Sequence, residues 1–586
     1  AFGPWNDNTT VIMNSPNSQF LAGVAMTTPV LDESVDELVV RELLMAGMSK
    51  NESVRVPAEK QVLELQKQTG FATFLLNITS DRATDEHLRL DAILNVKTIV
   101  IRYWRPRNDP PVTNEEKISI RARLLAEFMQ EPSDLVALQV ALVVGQIARL
   151  DWPRMWPDLL PVLSQAILGG PGITQLRGLL MMHHMIHEMT YRSGRGAKGQ
   201  FREMAQGIFE PLLSLWRQGS DLLLSTLSSF AKGEIDESQL EVARYDAEAA
   251  KLSLKVLAGL VIYGFENFSQ EPIAVAFYKA ILDVFPFSLE CASTVQNNPL
   301  MLYIHKFNTI YGKLLVKCQD HDTKPFLVIA EDVLNFALEQ IRLVNHTDDI
   351  AVRCMKLTTA VVLCLSKVGE YKDTEGEALL CTNVFTEPRV RELTQVLIES
   401  YFTFTYTELE EWTESPEDSY HEQSNLADAD DRPRSVAEGL FLALIGQWPD
   451  IVIPLVLQNV DSCVKEAQSA FSNGGEELEH FLSVDRVLFR DACLHTAITA
   501  RHQLLRHIDF SDWFVNSLQR ELQELNKLNL APLYTITAPD GSILPAPFDY
   551  RTSIFKRRLC LLIAYWVADI QEETRPNAYE VVVSIL

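Results

Sequence analysis

Cysteine, glycine and proline are sparse in this chain, and it has no long apolar run. Its 586 residues include 8 Cys, without a C-x-x-C pair, which argues against a disulfide scaffold and a Cys-rich zinc site. The 25 Gly and 27 Pro fall below the ~12% of ordinary usage, which favours many helices joined by short loops. Apolar runs such as Leu559–Val567 are far shorter than the ~20 residues of a membrane span. We therefore expect no membrane insertion.

Basic residues are also fewer than acidic ones. The chain has 52 Lys and Arg against 78 Asp and Glu, a net charge of −26. A surface this acidic repels phosphate, so no direct binding of nucleic acid is expected, and it favours basic protein partners. The hydrophobic share of 47% is high enough to exclude global disorder.

Motifs of catalysis and of cofactor binding are missing. Gly169–Gly172 lacks the Lys-Ser/Thr of a phosphate-binding loop, and no G-x-S-x-G elbow occurs. His183, His184 and His187 do not form H-E-x-x-H, so we interpret them as core or surface histidines rather than metal ligands. We expect no enzyme activity, no cofactor and no metal.

Apolar residues recur at helical spacing along almost the whole chain, and no sustained strand alternation is present. The Val-rich stretch Val361–Leu365 is compatible with a buried strand. Its flanking residues continue the apolar spacing of a helix, which favours a helix. The predicted helices include Val35–Ala46, Ala58–Gln68, Leu88–Tyr103, Ile118–Phe128, Leu135–Leu150, Phe326–Leu343, Val390–Tyr406 and Val487–Leu505.

One local pattern returns: an apolar residue, then Arg, then a small residue or the start of an apolar stripe. Such a helix can bridge to a neighbouring turn through the Arg, while the small residue allows close helix approach. Copies lie irregularly, about thirty to forty residues apart, which fits HEAT-like repeats of helix pairs. An ordinary multi-domain helical protein remains the alternative. The copies include Arg55, Arg89, Arg121, Arg353, Arg490 and Arg558.

Two Trp-Pro corners resemble each other. Trp152 to Pro161 follows an apolar helix; Pro153 stops that helix, and Pro157 suits the first turn of the next. The Trp rings can fill the corner between the helices. Trp448-Pro449-Asp450 repeats the same order, which indicates internal repetition of a helix–turn–helix unit.

Three segments interrupt the helices. Gly194–Gly199 is predicted to be a small loop. Glu408–Arg434 is acidic and polar, and Thr535–Phe548 is predicted to be an extended loop because it contains several Pro and a Gly. The apolar end at Val581–Leu586 has no C-cap signal, which predicts that the polypeptide continues.

Several segments resemble the importin-β family. Ala58–Gln66 followed by Gly70-Phe71 is similar to the helix that opens the family's N-terminal domain, with Thr69 where Pro is usual. His87–Ile99 is similar to the next motif, with Thr98 where Asn is usual. Thr407–Glu417, the Trp152 corner and Asp491 to Phe514 resemble one branch, that of importin-11 and its fungal counterparts.

The resemblance implies an all-α, HEAT-repeat superhelical solenoid of antiparallel helix pairs, the N-terminal part of a longer chain. It divides the sequence into a polar N-terminal extension, an N-terminal domain of first HEAT repeats, central repeats, an acidic insertion and further repeats with the loop 535–548. The corresponding bounds are residues 1–30, 31–130, 131–407, 408–434 and 435–586.

The same resemblance implies a nuclear import receptor that binds basic cargo in the cytoplasm, passes nuclear pores through FG nucleoporins and releases cargo on binding RanGTP. It suggests ribosomal proteins and ubiquitin-conjugating enzymes as cargo, and shuttling between cytoplasm and nucleus. Two alternatives remain open: a HEAT-repeat scaffold or regulatory subunit without a transport role, and an exportin of the same superfamily.

Two sets of site residues follow from this resemblance. The Ran-binding candidates are Lys97, Arg102, Arg121 and Asp158. A mobile acidic loop anchored by an aromatic ring is expected to contact Ran or cargo, and its residues are Glu408, Glu410, Glu411, Trp412, Glu414 and Glu417.

Overall fold

The computed structural model divides between Arg123 and Leu124 into two compact units of its described residues. It describes residues 37–105, 107, 111–170, 172–191, 195–232, 234, 237–294, 298–321, 323–343, 349–366, 380–415, 417, 432–528, 535–537, 543–545 and 550–585. The predicted extension 1–30 and most of the acidic segment, 416 and 418–431, lie outside these residues.

The first unit consists of helices packed in pairs. They are α1 (Glu37–Gly47), α2 (Glu52–Leu65), α3 (Phe71–Ser80), α4 (Glu86–Tyr103) and α5 (Asn114–Phe128), and α5 crosses the boundary between the units. Helix α1 packs on α2, and α3 packs on α4. Asn51 accepts a hydrogen bond from the Ser53 N–H at the start of α2, and Asp85 caps α4 in the same way.

The turn between α2 and α3 depends on Gly70. Its φ of +89° lies in the left-handed region that favours glycine, and its N–H donates to Glu116 Oε1 at 3.0 Å. Helix α5 thereby holds the start of α3, which is the position of the Gly70-Phe71 motif.

The second unit begins with the end of α5 and continues as helix pairs. Its first nine further helices are α6 (Asp134–Asp151), α7 (Leu159–Leu168), α8 (Ile173–Thr190), α9 (Arg195–Ala231), α10 (Glu237–Tyr263), α11 (Pro272–Thr294), α12 (Met301–His321), α13 (Thr323–Arg342) and α14 (Asp349–Ser366). Val361–Leu365 lies in α14, which confirms the helical interpretation of that stretch. The loop predicted at Gly194–Gly199 is wrong from Arg195 onward, because α9 begins there.

Several of the remaining helices are short, and some continue as π-helical turns. The predicted helix Val390–Tyr406 ends at Tyr401 through such a turn, and the predicted helix Val487–Leu505 is broken at Ala500. The helices are α15 (Glu387–Val396), α16 (Tyr406–Glu414), α17 (Pro433–Gln447), α18 (Pro449–Asn473), α19 (Gly475–Phe481), α20 (Val484–Thr499), α21 (Arg501–Leu504), α22 (Phe510–Trp513), α23 (Gln519–Lys527), α24 (Tyr550–Trp566) and α25 (Arg575–Ile585).

The loop predicted at Thr535–Phe548 contains a small antiparallel hairpin. Strand β1 (Thr535–Thr537) pairs with β2 (Ile543–Pro545), with Thr535 opposite Pro545. Three-residue strands are too short to show an alternating pattern, so the sequence did not reveal them. Everywhere else in the described part of the chain, regular structure is helical.

Helices of the second unit pack in two layers. Helices α6, α8, α10, α12 and α14 contact one another in chain order, and α9, α11 and α13 contact one another on the other side. Each pair therefore buries its apolar faces against the pairs before and after it, as in a HEAT-repeat solenoid.

The recurring arginines hold successive helices together. Buried Arg89 in α4 donates to the Thr79 carbonyl oxygen at 2.8 Å, at the end of α3. Arg177 in α8 likewise donates to the Glu131 carbonyl oxygen at 2.7 Å. Carbonyls at a helix end lack intrahelical partners, so the Arg satisfies them. This confirms for Arg89 the bridge that the sequence pattern predicted.

The first Trp-Pro corner is packed as expected, with Trp152 and Trp156 buried. Helix α7 begins at Leu159 rather than at Pro157, because a turn closed by the Leu159 N–H and the Trp156 carbonyl precedes it. At the second corner Pro449 does occupy the first turn of α18, and Trp448 packs on Phe385 at 5.1 Å between ring centroids.

Within the described residues one helix, α11, is long and apolar enough to cross a membrane by length and composition alone. Core helices meet the same test, and α11 packs against α9, α12 and α13.

Candidate functional site

The Ran-binding candidates of the first unit occupy different environments. Lys97 is half-buried and Arg102 is exposed, and both lie on α4. Five residues separate them, which places them about 140° apart around the helix. Arg121 is only 7% exposed, because it lies on the packed side of α5, so it offers little surface to a partner.

The fourth candidate, Asp158, belongs to the second unit. It is exposed and immediately precedes α7, where its side chain makes no capping hydrogen bond. A carboxylate at this helix end is favoured by the helix dipole whether or not a partner binds.

The acidic segment begins as a helix, so the prediction of a loop is wrong for its first residues. Residues 408, 410, 411 and 414 lie on α16. Thr405 and Glu408 form a capping box: the Thr hydroxyl accepts from the Glu408 N–H, and the Glu carboxylate accepts from the Thr405 N–H at 2.7 Å. The Thr-x-x-Glu spacing was present in the sequence and is the signal that was missed.

Trp412 is buried, at 6% exposure, on the inner face of α16. The expected aromatic anchor is therefore present, but it fixes a helix. The Trp packs into a core cluster with Phe404, Leu409, Val487, Leu488 and Ile554.

The acidic residues of this segment have different surroundings. Glu408 binds Arg434, with 3.2 Å between Oε2 and Nη2, so it forms an ion pair within the fold. Glu411 is exposed. Glu410 and Glu414 are also exposed, four residues apart on one face of α16, and exposed Glu417 follows the end of that helix. We name Glu410, Glu414 and Glu417 the acidic stripe, and they remain candidates for contact with a basic partner.

A cavity of about 530 Å³ opens beside α16. Its lining includes cationic and anionic side chains from α16, α17, α20 and α24, and we name it the charged cavity. The charged lining residues and the histidine are Glu408, Glu411, Arg432, Arg434, Glu438, His495, Arg557 and Arg558.

One wall of the cavity is a chain of hydrogen bonds that is buried at its Arg558–Asp491 end and partly exposed at Glu438. Arg558 binds Asp491 with both of its nitrogens Nε and Nη2 at 2.7 Å, and its Nη1 lies 2.8 Å from His495 Nδ1. His495 Nε2 lies 2.6 Å from Glu438 Oε1. Because Arg558 can only donate, Nδ1 accepts and Nε2 carries the proton that is donated to Glu438.

Electrostatics supports this assignment. Burial and the Arg558 charge lower the pKa of His495, so the ring is neutral at neutral pH. Burial alone would raise the pKa of Asp491 and of Glu438, but the Arg558 and His495 partners outweigh it and lower both. The network is a neutral imidazole between two ionised carboxylates and a guanidinium.

Sequence reasoning missed Glu438 and His495, because they lie 57 residues apart and no local spacing links them. Among the residues that the structure describes, no group of three or more His, Cys, Asp and Glu side chains is placed to hold a metal ion.

Stacked helix pairs in two layers, joined by buried arginines, define a HEAT-repeat protein. Residues 58–130 match the family model described as the Importin-beta N-terminal domain. The chain is 26% identical to human Importin-11 over 568 residues, which covers 95% of this chain and 54% of the relative. It is 22% identical to the importin beta-like protein kap113 of Schizosaccharomyces pombe, covering 92% of this chain and 53% of the relative.

Solved structures show the same fold. Lph2, described as a bidirectional nuclear transport receptor in S. cerevisiae, superimposes with a TM-score of 0.70 at 20% identity, covering 92% of this chain and 50% of Lph2. The exportin Cse1 gives a TM-score of 0.53 at 12% identity, covering 94% of this chain and 58% of Cse1. The predicted resemblance to the importin-β family, and within it to importin-11 and its fungal counterparts, is confirmed. The chain spans about half the length of the curated relatives it matches.

Proposed function

We propose that this chain is part of a karyopherin-β nuclear transport receptor that acts by binding, without catalysis. It binds basic protein cargo in the cytoplasm, passes the nuclear pore through FG nucleoporins, releases cargo when RanGTP binds and shuttles between cytoplasm and nucleus. Ribosomal proteins and ubiquitin-conjugating enzymes are the cargo classes to try first. The similarity to Importin-11 across 95% of the chain carries this proposal.

Charge and architecture support it. A net charge of −26 and the exposed acidic stripe favour basic partners and make association faster at low salt. Repeats that contact only their neighbours bend at low cost, so one ligand can alter the surface offered to another.

Exposed apolar side chains support binding of FG repeats. Phe287 on α11, Leu302 on α12 and Val328 on α13 are each more than half exposed. Such side chains offer apolar contacts to the isolated Phe rings of FG segments.

Export is a second candidate, favoured by one observation. The fold matches that of Lph2, which is described as a bidirectional nuclear transport receptor, and that of the exportin Cse1. An exportin loads cargo together with RanGTP, whereas an importin releases it, so adding RanGTP to a chain–cargo complex distinguishes the two directions.

Binding to Ran in its two nucleotide states tests the proposal. We expect the immobilised chain to bind hydrolysis-deficient Ran loaded with GTP and not Ran loaded with GDP. Lys97→Glu combined with Arg102→Glu should weaken this binding at least about ten-fold, because both reverse charges on α4.

The matched control is Lys60→Glu combined with Lys67→Glu, two exposed residues of the same unit that change net charge equally. It should leave RanGTP binding nearly unchanged. Equal binding to both nucleotide states would contradict the proposal. An equal loss of RanGTP affinity in both double variants would contradict the assignment of Lys97 and Arg102, but it would leave the proposed transport function standing.

A further inference from the structure

Two buried cysteines meet where α18 packs on α20. Cys463 belongs to the buried face of α18 and is 5% exposed, and Cys493 on α20 is fully buried. Their thiols are in hydrogen-bonding contact, although thirty residues separate them in the sequence. Both are free thiols, so the fold holds two reduced sulfur atoms side by side.

The surroundings of Cys463 favour its thiolate. The Cys493 thiol donates a hydrogen bond to the Cys463 sulfur, and this bond is the largest cause of the lowered pKa of Cys463. The charges of Arg490 and Arg486 act in the same direction, and together these contacts outweigh burial. By contrast, burial raises the pKa of the half-buried Cys560.

Paired carboxylates limit the effect of the two arginines. Glu466 binds Arg486, with 3.0 Å between Oε1 and Nε, and its own charge raises the pKa of Cys463. Glu521 binds Arg490. The contact between the two thiols, rather than an unpaired cation, therefore favours the Cys463 thiolate.

We propose that Cys463 and Cys493 form a reversible disulfide bond under oxidising conditions, with a small hydroperoxide such as hydrogen peroxide as the oxidant. A disulfide needs Cβ atoms about 3.5–4.5 Å apart, a spacing that thiols already in contact reach with small side-chain movements. Disulfides of cytosolic and nuclear proteins are usually transient or redox-sensing, because thiols are kept reduced there. This modification site does not depend on the proposed transport function.

The two cysteines have different roles in the oxidation. A thiolate reacts with oxidants much faster than a thiol, so Cys463 reacts first. Its hydrogen bond to Cys463 and its burial raise the pKa of Cys493, which therefore keeps its proton. Cys493 then lies in position to react with the oxidised Cys463, as a resolving cysteine does.

Two steps complete the reaction. The Cys463 thiolate attacks one peroxide oxygen: an S–O bond forms, the O–O bond breaks, and the hydroxide that leaves takes up the proton lost by Cys463 and becomes water. The Cys493 sulfur then attacks the sulfenic acid of Cys463: an S–S bond forms, the S–O bond breaks, and the hydroxide leaves as water with the Cys493 proton. The two thiols lose two electrons in total, and the peroxide gains them.

Peptide mapping of the whole chain tests the proposal. The chain is treated with a few equivalents of hydrogen peroxide at neutral pH, its remaining thiols are alkylated, and the digest is analysed by mass spectrometry. We expect a peptide with Cys463 linked to a peptide with Cys493, and the link should disappear after treatment with dithiothreitol. The matched control is Cys291→Ser combined with Cys560→Ser, which removes two half-buried thiols and should leave the linked peptide unchanged.

Single variants separate the roles of the two sulfur atoms. In Cys493→Ser, Cys463 should stop at the sulfenic acid, which dimedone traps when the oxidised chain is unfolded. In Cys463→Ser, sulfenic acid at Cys493 should be at least about ten-fold lower, because this thiol keeps its proton. Circular dichroism checks that both variants stay folded.

Unfolding in urea measures the consequence for the fold. The disulfide closes a loop of about thirty residues and restricts the unfolded chain, so the oxidised parent should unfold at a higher urea concentration than the reduced parent. Cys463→Ser treated with the same peroxide should show no such rise.

Three results would overturn the proposal. The first is the absence of the linked peptide in a sample in which Cys291 is already oxidised. The second is a linked peptide that forms only when peroxide is added to the urea-unfolded chain, because the contact in the fold would then play no part. The third is an equal amount of sulfenic acid in the two single variants, which would show that the contact does not activate Cys463.

Discussion

At the scale of single residues, Trp412 shows how one ring joins separate parts of the sequence. It packs between side chains of α16, α20 and α24. We expect Trp412→Ala to lower the free energy of unfolding by about 3–5 kcal/mol, because it leaves a large cavity in a packed cluster. Chemical denaturation followed by circular dichroism measures this.

Tyr406 supplies the control on the same helix. Its ring is exposed, and its hydroxyl donates to Asp485 Oδ1 at 2.9 Å. Tyr406→Phe should cost less than about 1 kcal/mol, because an exposed hydrogen bond contributes little net stability. Equal destabilisation by both variants would show that Trp412 is not a core residue.

His495 makes stability depend on pH. The folded chain lowers its pKa, whereas in the unfolded chain the ring returns to about 6.5 and takes up a proton below that pH. Only the unfolded state then gains the proton, so stability is full above about pH 6.5 and falls as the pH drops. One such group contributes a slope of at most about 1.4 kcal/mol per pH unit.

We therefore expect the free energy of unfolding to fall between about pH 7.5 and about pH 5.5, and to fall less steeply in His495→Gln. His183 and His187 also have lowered pKa values, so part of the slope remains in the variant. A slope that is unchanged in the variant would contradict the assignment of a neutral His495. Urea unfolding at several pH values measures it.

At the scale of elements, the acidic residues on and next to α16 have two roles, one within the fold and one at the surface. Glu408 caps its own helix and binds Arg434, while the acidic stripe faces outward. Glu410→Gln, Glu414→Gln and Glu417→Gln together should weaken binding of a basic peptide several-fold at low salt, because they remove three exposed charges. The unfolding midpoint should stay nearly constant, since exposed like charges contribute little to folding.

The control for the acidic stripe neutralises Glu476, Glu479 and Glu573, three exposed residues elsewhere with the same total charge. If neutralising this control set weakens the peptide affinity as much as neutralising the acidic stripe, then binding depends only on net charge and the stripe is not a binding site. Calorimetric titration with the same peptide compares the two sets.

The helices were predictable to differing degrees. Long amphipathic stretches such as α4 and α6 follow from apolar spacing and from the caps Asp85 and Ser133. The loop prediction failed at α16, because acidic composition outweighed a capping signal that was present. The hairpin of β1 and β2 was not predictable, since strands of three residues carry no periodicity.

At the scale of the whole molecule, the repeat architecture was predictable because each helix pair must bury its open face on a neighbour. The charged cavity was not predictable, since it depends on which helices become neighbours. His495 and Glu438 meet only after α17 and α20 pack.

The central claim is that this chain acts in nuclear transport, and entry into nuclei tests it most directly. The fluorescently labelled chain is added to permeabilised cells together with a labelled inert protein of the same mass, 66.2 kDa. We predict that the chain accumulates at the nuclear rim and enters nuclei while the inert protein stays outside, because FG contacts admit it to the pore. Exclusion of the chain to the same degree as the inert protein, with no rim signal, would contradict the account.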